Sequence, residues 1–302
     1  MTPNSPLWGI DLGGTKVEGV IMDPQIPTMP LHRLRRDTGA VNGYGHILSQ
    51  IIAVVCDLEA ASGLSHPTRI GIGTPGVVDP AKGSLKNSNT TCLNGRPLRD
   101  DLAGALNCDF VMANDANCFA LAEALCGAGC HSDVVLGLIL GTGVGSGIVI
   151  NRQVLNGHHG IAGEWGHNPL CGESRLCYCG RKGCIETVIA GPSLERYYHE
   201  NGGDKVSLPQ IVLRSDAGES LATQTLELLR AKFAEAIAAV INILDPDVIV
   251  VGGGVGNIPL LYEEATREAI LRHLFNPEMT TRLVPPQLGD SAGVFGAALL
   301  TA

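Results

Sequence analysis

Within GHNPLCGESRLCYCGRKGCIE (residues 166–186) stand four cysteines and a histidine. His167, Cys177, Cys179 and Cys184 offer one imidazole and three thiolates, a four-ligand set suited to tetrahedral zinc with no open position and therefore to a structural metal. Cys-x-Cys with a third cysteine after GRKG is a less common spacing than paired Cys-x-x-Cys knuckles, so spacing alone leaves a redox pair or a chance cluster open. Cys171 is left over. A second stretch, ANDANC (113–118), puts Asp115 directly after an apolar run. A carboxylate at a strand end can serve as a general base, but Asn-Asp before CFALAEAL also has the pattern of a helix N-cap. Three glycine-rich turns, DLGGTK (11–16), GTGVGSG (141–147) and GGGVGN (252–257), supply backbone N–H groups without Cβ obstruction, which suits phosphate oxygens. None is a Walker loop or a dinucleotide fingerprint. Gly14-Thr15-Lys16 runs into the strand pattern VEGVIM, Ser146 stands where the fingerprint needs glycine, and the third turn ends on Asn257.

The elements that must carry these residues alternate between strand and helix. Residues 8–23 and 136–155 each read as strand, Gly/Thr turn and strand, which suggests an old duplication. HILSQIIAVVCDLEAA (46–61) has apolar residues at 47, 51, 54, 55 and 58 and predicts a helix; RIGIGTPGVVD (69–79) predicts a strand, and KNSNTTCLNGRP (86–97) an irregular stretch. A long helix over 218–243 stops before Pro246 and is followed by the strand and loop DPDVIVVGGG (245–254). Residues 290–302 read as a small-residue helix able to pack tightly. The fold class is mixed α/β.

The chain has 302 residues, 39 of them glycine, and a formal net charge of -9, which argues against a nucleic-acid surface and favours a small-molecule partner. The first residues lack a basic and apolar leader pattern, so a cytoplasmic location is expected. The charge-free run 134–150 is interrupted by Gly141, Gly143, Gly145 and Gly147 and reads as strands, not a membrane helix. Cys56, Cys92, Cys108, Cys118, Cys126 and Cys130 are expected to be buried thiols.

In their order, DLGGTK, ANDANC, GTGVGSG, GEWGHNPL, CYCGRKGCIE and DPDVIVVGGG resemble the ROK family of sugar kinases and repressors, within the actin-like/hexokinase-like ATPase superfamily. The resemblance implies two actin-like (ribonuclease H-like) α/β domains around a cleft, with a zinc-binding loop. It gives a small domain of residues 1–117 plus a C-terminal helix of about 290–302, and a larger one of 118–289. It makes Asp115 the general base and Asp11 the residue orienting Mg²⁺ or its water. Gly13, Gly14, Thr15, Lys16, Gly141, Thr142 and Gly143 would meet the phosphates of ATP, with Gly252, Gly253 and Gly254 beside the adenosine. Asn89, Asn114, Glu164, His167, Glu186 and Gly76 would hold the hexose. His167, Cys177, Cys179 and Cys184 would bind structural Zn²⁺, His167 facing metal with one nitrogen and sugar with the other. A homodimer is also implied.

The expected activity is transfer of the γ-phosphate of ATP to a hexose 6-hydroxyl. GEWGHNPL and NSNTTCLNGRPL resemble the fructokinase and manno(fructo)kinase branch, so fructose is expected first, then mannose or glucose. Cys92 departs from that branch, where an aromatic residue able to line the pocket would stand. The alternatives are an N-acetylglucosamine or N-acetylmannosamine kinase, or a glucokinase, of the same family. A sugar-sensing repressor is the more distant reading, since the first strand begins near Leu7 and the chain is acidic.

Overall fold

The computed structural model describes residues 5–302. The chain folds in the order β1 (Leu7–Leu12), β2 (Lys16–Met22), β3 (Pro30–Asp37), α1 (Tyr44–Ser62), β4 (Arg69–Thr74), β5 (Val77–Val78), β6 (Leu85–Lys86), α2 (Leu98–Leu106), β7 (Asp109–Asn114) and α3 (Asp115–Cys126). There follow β8 (Val134–Leu140), β9 (Val144–Ile150), β10 (Gln153–Val154), α4 (Glu186–Ile189), α5 (Gly191–Glu200), α6 (Leu208–Asp216) and α7 (Ser220–Leu244). The chain closes with β11 (Val248–Gly252), α8 (Gly253–Gly256), α9 (Glu264–Leu271), β12 (Arg282–Val284) and α10 (Ala292–Leu299).

Five strands in the order β3-β2-β1-β4-β7 make one sheet and five in the order β10-β9-β8-β11-β12 another. In the first, β1–β2 and β2–β3 pair antiparallel while β4 runs parallel to both β1 and β7. In the second, β10–β9 is antiparallel, and β11 is parallel to β8 and β12. The same strand arrangement thus occurs twice, as the paired hairpins suggest. Two compact units are present: residues up to Cys130 with Gly147–Ala162 and Gln287–Ala302, and His131–Ser146 with Gly163–Pro286.

Local sequence explains the main boundaries. Helix α1 buries Ile47, Ile51, Val54, Val55 and Leu58 on one stripe and ends at Gly63, whose φ of 70° closes the helix. By length and composition α1 is also apolar enough to cross a membrane. Its buried stripe belongs to the core of the first unit, packed with β2 and β3. Helix α7 stops where Asp245 takes a left-handed conformation before Pro246. The 134–150 run is strands β8 and β9, as its glycines predict. Of the six scattered cysteines, Cys108 and Cys118 are buried, but Cys92, Cys126 and Cys130 are half-buried and Cys56 is exposed. For Cys56 the expectation fails because it lies on the outer face of α1, off the buried stripe.

Helix α10 sets the first unit. It lies on β1 and β4 and against α3, with no room for side chains at the contacts: a Cβ at Gly71 would overlap the Ala297 carbonyl, one at Gly9 the Ala298 backbone, and one at Gly296 the Cys118 carbonyl. The turn before α10 is clamped by the fully buried carboxylate of Glu123, which accepts from the backbone N–H of Gln287 (3.1 Å), Leu288 (2.9 Å) and Ala128 (2.9 Å). Charge-assisted bonds of this kind satisfy a carboxylate that would otherwise be costly to bury. Gly71→Ala should therefore lower the unfolding free energy by about 3 kcal/mol, the upper range for overpacking a close contact. Gly104→Ala, in α2 where a methyl meets nothing within 4 Å, should be neutral or stabilising by up to about 1 kcal/mol. Urea unfolding of both variants checks the contrast.

Candidate active site

Two carboxylates meet in the first unit. Asp11 is on β1, in register with Glu18 of β2 and Gly73 of β4. A Cβ at Gly73 would lie 3.4 Å from Asp11 Oδ1 and one at Gly293 of α10 3.2 Å from Oδ2, so glycines on two elements make space for this carboxylate. Asp115 opens α3. The capping role falls to its neighbour: Asn114 Oδ1 accepts from Asn117 N at 2.7 Å. Asp115 is thus left out of the cap, its carboxylate accepting from backbone amides at the helix start, with Oδ1 2.8 Å from Ala116 N. Water reaches the Asp115 side chain, yet surrounding protein displaces most of its hydration. That desolvation pushes its carboxyl above the usual range, against the lowering effect of the Ala116 amide. Burial likewise pushes Asp11 up to about 6, with Asp115 and Glu18 adding like-charge repulsion and Lys16 opposing it. Beneath them Cys118 is fully buried, its thiol driven far up first by burial and then by the two aspartates, and is inert.

Around this pair the first unit presents its other predicted residues. The β1–β2 turn is held by Gly13 N donating to Lys16 O (2.9 Å) and by Thr38 Oγ1 donating to Gly13 O (2.7 Å), leaving Gly14, Thr15 and Lys16 exposed. Lys16 is not a free cation: its Nζ lies 3.6 Å from Glu18 Oε2. Burial acts to raise Glu18, but hydrogen bonds from Arg33 and Arg35 outweigh it and hold the carboxyl below its ordinary value. Gly76 has φ 98°, and a Cβ there would sit 2.6 Å from Lys86 O and 2.9 Å from Ser88 Cα. Its bareness lets the 86–90 segment close in, where Asn94 bonds both backbone groups of Ser88 (2.9 Å each) and Asn89 is turned outward, exposed. Asn114 Oδ1 is engaged in the cap. Cys92 packs against the core, its Sγ 3.9 Å from Ala40 O.

In the second unit the four metal-type ligands converge. One donor atom from each of His167, Cys177, Cys179 and Cys184 lies within 4.8 Å of all the others. Cys179 Sγ is 3.6 Å from Cys184 Sγ, and Cys177 Sγ is 3.6 Å from His167 Nδ1. A tetrahedral zinc with ordinary bond lengths needs edges of roughly 3.8 Å between sulfurs and about 3.5 Å between sulfur and nitrogen, so the donor set fits that ion. Cys171 stands apart, its N–H and carbonyl turned to Glu235 and Lys232. His167 Nδ1 points into the cluster while Nε2 has Tyr178 Oη at 3.1 Å. Glu186, two residues after Cys184, directs Oε2 to the Val144 amide (3.1 Å) and Oε1 toward Cys177 Sγ (3.8 Å). Glu164 precedes the turn that carries His167.

A pocket of 680 Å³ opens beside the glycine turns of this unit, lined by Gly141, Thr142, Gly191, Gly254 and Val255. Gly253, with φ 84°, has no room for a Cβ against Leu140, which brings the β11 loop onto the end of β8. Gly252 is buried at the end of β11, and Gly143 closes the 141–143 turn through Gly141 N to Gly143 O (3.0 Å). The opposite wall, from Pro192, Leu208, Pro209, Leu213 and Ile258, is apolar. Sequence reasoning missed this wall. Its signal was available in α6, where Ile211, Val212 and Leu213 are three consecutive apolar residues, more than one buried face uses; Leu213 is 67% exposed.

The ROK family model matches residues 7–302, and the chain belongs to the ROK family. N-acetyl-D-glucosamine kinase of Vibrio cholerae is 34% identical over 303 residues, covering 97% of this chain and 98% of the relative. The structure of a ROK hexokinase from Thermus thermophilus superposes with a TM-score of 0.87 at 32% identity, covering 98% of this chain and 97% of that one. A ROK glucokinase from Streptomyces griseus, solved with glucose and AMPPNP, gives 0.78 at 28%, covering 97% and 98%. The α/β fold expected from the sequence is thereby established. The fructokinase branch is not supported: curated relatives at 32–34% identity are N-acetyl-D-glucosamine kinases. The loop motifs that suggested fructose include Cys92, and its inward orientation shows that part of that stretch serves packing, not recognition.

The raised Asp11 gives a pH signature. Its folded value near 6 exceeds the ordinary 3.8, so between these limits the folded chain holds a proton the unfolded chain has released, and stability falls as pH rises through the window. Asp11→Asn removes the penalty. It should stabilise the ligand-free chain at pH 7.5 by an amount on the order of 2 kcal/mol and leave it near wild type at pH 4, as read from urea midpoints at the two pH values.

Proposed function

We propose that this protein is an ATP-dependent sugar kinase that phosphorylates the 6-hydroxyl of a hexose, with N-acetyl-D-glucosamine the first substrate to test. The observation that carries the reaction type is Asp115: open to water, raised by desolvation, and relieved of capping duty by Asn114. A carboxyl raised in this way is better matched to taking a proton near neutral pH than an ordinary aspartate. Its oxygen not engaged by Ala116 would accept the hydroxyl proton as the sugar oxygen attacks the γ-phosphorus. Phosphoryl transfer asks little covalent work of a protein beyond this, and much positioning.

The remaining residues divide the positioning. Gly14 and Thr15, and separately Thr142 and Gly143, would offer backbone N–H groups to phosphate oxygens, while the N–H groups of Gly13 and Gly141 close those two turns; the apolar pocket beside Gly254 would accept the base and ribose. Lys16, tied to Glu18, would add a shared rather than a full charge. In the first unit Asn89, Asn114 and the turn made by Gly76 are the candidate sugar ligands, and in the second unit, taken by itself, Glu164, His167 and Glu186 are. Mg²⁺ bound with ATP supplies neutralisation of phosphate charge, and the crowded acid pair Asp11–Asp115 suits a nearby cation. Zinc on His167, Cys177, Cys179 and Cys184 supplies rigidity alone, since no ligand position is left open. Support for the N-acetylated substrate comes from the named relatives, which match nearly end to end.

Coupled assay of the purified chain with ATP, Mg²⁺ and a panel of N-acetylglucosamine, N-acetylmannosamine, glucose, mannose and fructose should give the highest kcat/KM with N-acetylglucosamine. A preference for fructose would reverse the substrate assignment. Asp115→Asn should keep sugar binding and reduce kcat by roughly 10²–10⁴-fold, the usual worth of a general base. Cys179→Ser should lower both metal content and sugar affinity; loss of metal with unchanged sugar affinity would separate the cluster from the sugar site.

A further inference from the structure

The Glu186 carboxylate stands between two groups of residues given different tasks above. Its Oε2 accepts from Val144 N at 3.1 Å, immediately after the 141–143 turn. Its Oε1 points away from that turn, toward Cys177 Sγ at 3.8 Å. The fit on the turn side is close: a Cβ at Gly143 would come within 2.6 Å of Oε2. The backbone of the same residue makes a second connection. Glu186 O accepts from Ser193 Oγ at 2.9 Å, and Gly191, at the head of the helix bearing Ser193, donates to Gly141 O at 2.8 Å. Both ends of the 141–144 turn are thus tied to one acidic residue 42 positions later in the chain.

We infer that Glu186 is a positioning residue that holds the 141–144 turn in its phosphate-facing form and couples that turn to the sugar side of the second unit. The inference rests on the function proposed above, in which the turn meets phosphates and Glu186 also meets the hexose. One carboxylate cannot shift to suit a sugar hydroxyl on Oε1 without moving Oε2 against Val144. Sugar and nucleotide therefore read the position of the same group, and a perturbation on either side is felt on the other.

Three variants test this by calorimetry, with Mg²⁺–ADP titrated in the absence of sugar and N-acetylglucosamine titrated in the absence of nucleotide. Glu186→Ala should weaken ADP binding about 10-fold, the loss of a charge-assisted hydrogen bond to a backbone amide. Glu186→Gln, whose amide oxygen can still accept from Val144 N, should restore ADP affinity to within about 3-fold of wild type. Gly143→Ala, whose methyl displaces Oε2, should weaken N-acetylglucosamine binding by a similar factor. Equal metal content and melting temperature among the variants exclude general unfolding as the cause. Unchanged ADP affinity in Glu186→Ala, equal losses in the Ala and Gln variants, or unchanged sugar affinity in Gly143→Ala would each overturn the coupling. If the wild type binds ADP but not N-acetylglucosamine, the substrate assignment fails, and the ADP titrations of the Ala and Gln variants still decide the role of Glu186.

Discussion

The position of the acidic pair follows from how closely α10 lies on the first sheet. Glycines at 9, 71 and 296 bring backbone onto backbone, and α3 and α10 are thereby locked against β1 and β4. Asp11 leaves β1 beneath Gly293, and Asp115 leaves β7 at the first turn of α3. Close contact of this kind has a single register, because a one-residue slide would drive alanine side chains into carbonyls. Two carboxylates that repel each other are thus kept near one another by packing that does not involve them. Burial is the first cause of the raised proton affinity of both, and for Asp11 the nearby Asp115 adds to it.

In the proposed function the second unit has a different problem, that of binding anions on an acidic chain. No cluster of lysines is gathered at the 141–143 and 252–254 turns. Bare backbone amides take that place, and they carry partial charge without raising the net charge of the surface. Such turns need external support, since glycine gives them freedom as well as access. Gly253 is wedged against β8, and the 141–144 turn is braced from the metal-ligand loop. The convergence of three sulfurs and an imidazole gives that loop a fixed framework from which Glu164, His167 and Glu186 project.

Much of this could be read from residue order. The two hairpins, the long α7 ended before Pro246, and the small-residue helix at the end of the chain are local patterns, and each appears where the pattern puts it. Which residue caps α3 is not legible in Asn-Asp alone; the Asn114–Asn117 bond gives the cap to Asn114. The two-sided role of Glu186 had no sequence signal, because Val144 and Glu186 are brought together by tertiary folding. The apolar wall near α6 was hidden for the opposite reason: its leucine and valine look like core until exposure is known. Cys92, read as a departure from the fructokinase branch, packs against the core.

The Glu123 clamp on residues 287–288 has a consequence for the birth of the protein. During synthesis from the amino terminus, β1 and β4 emerge well before the helix that covers them. Until residues 287–302 leave the ribosome, the first sheet has one bare apolar face and Glu123 has no amides from that segment to neutralise it. The second unit, whose residues are complete at Pro286, can finish folding before the first. Maturation of the acidic pair thus waits on residues 287–302, and until they emerge the nascent chain must keep its opening sheet from sticking to its neighbours.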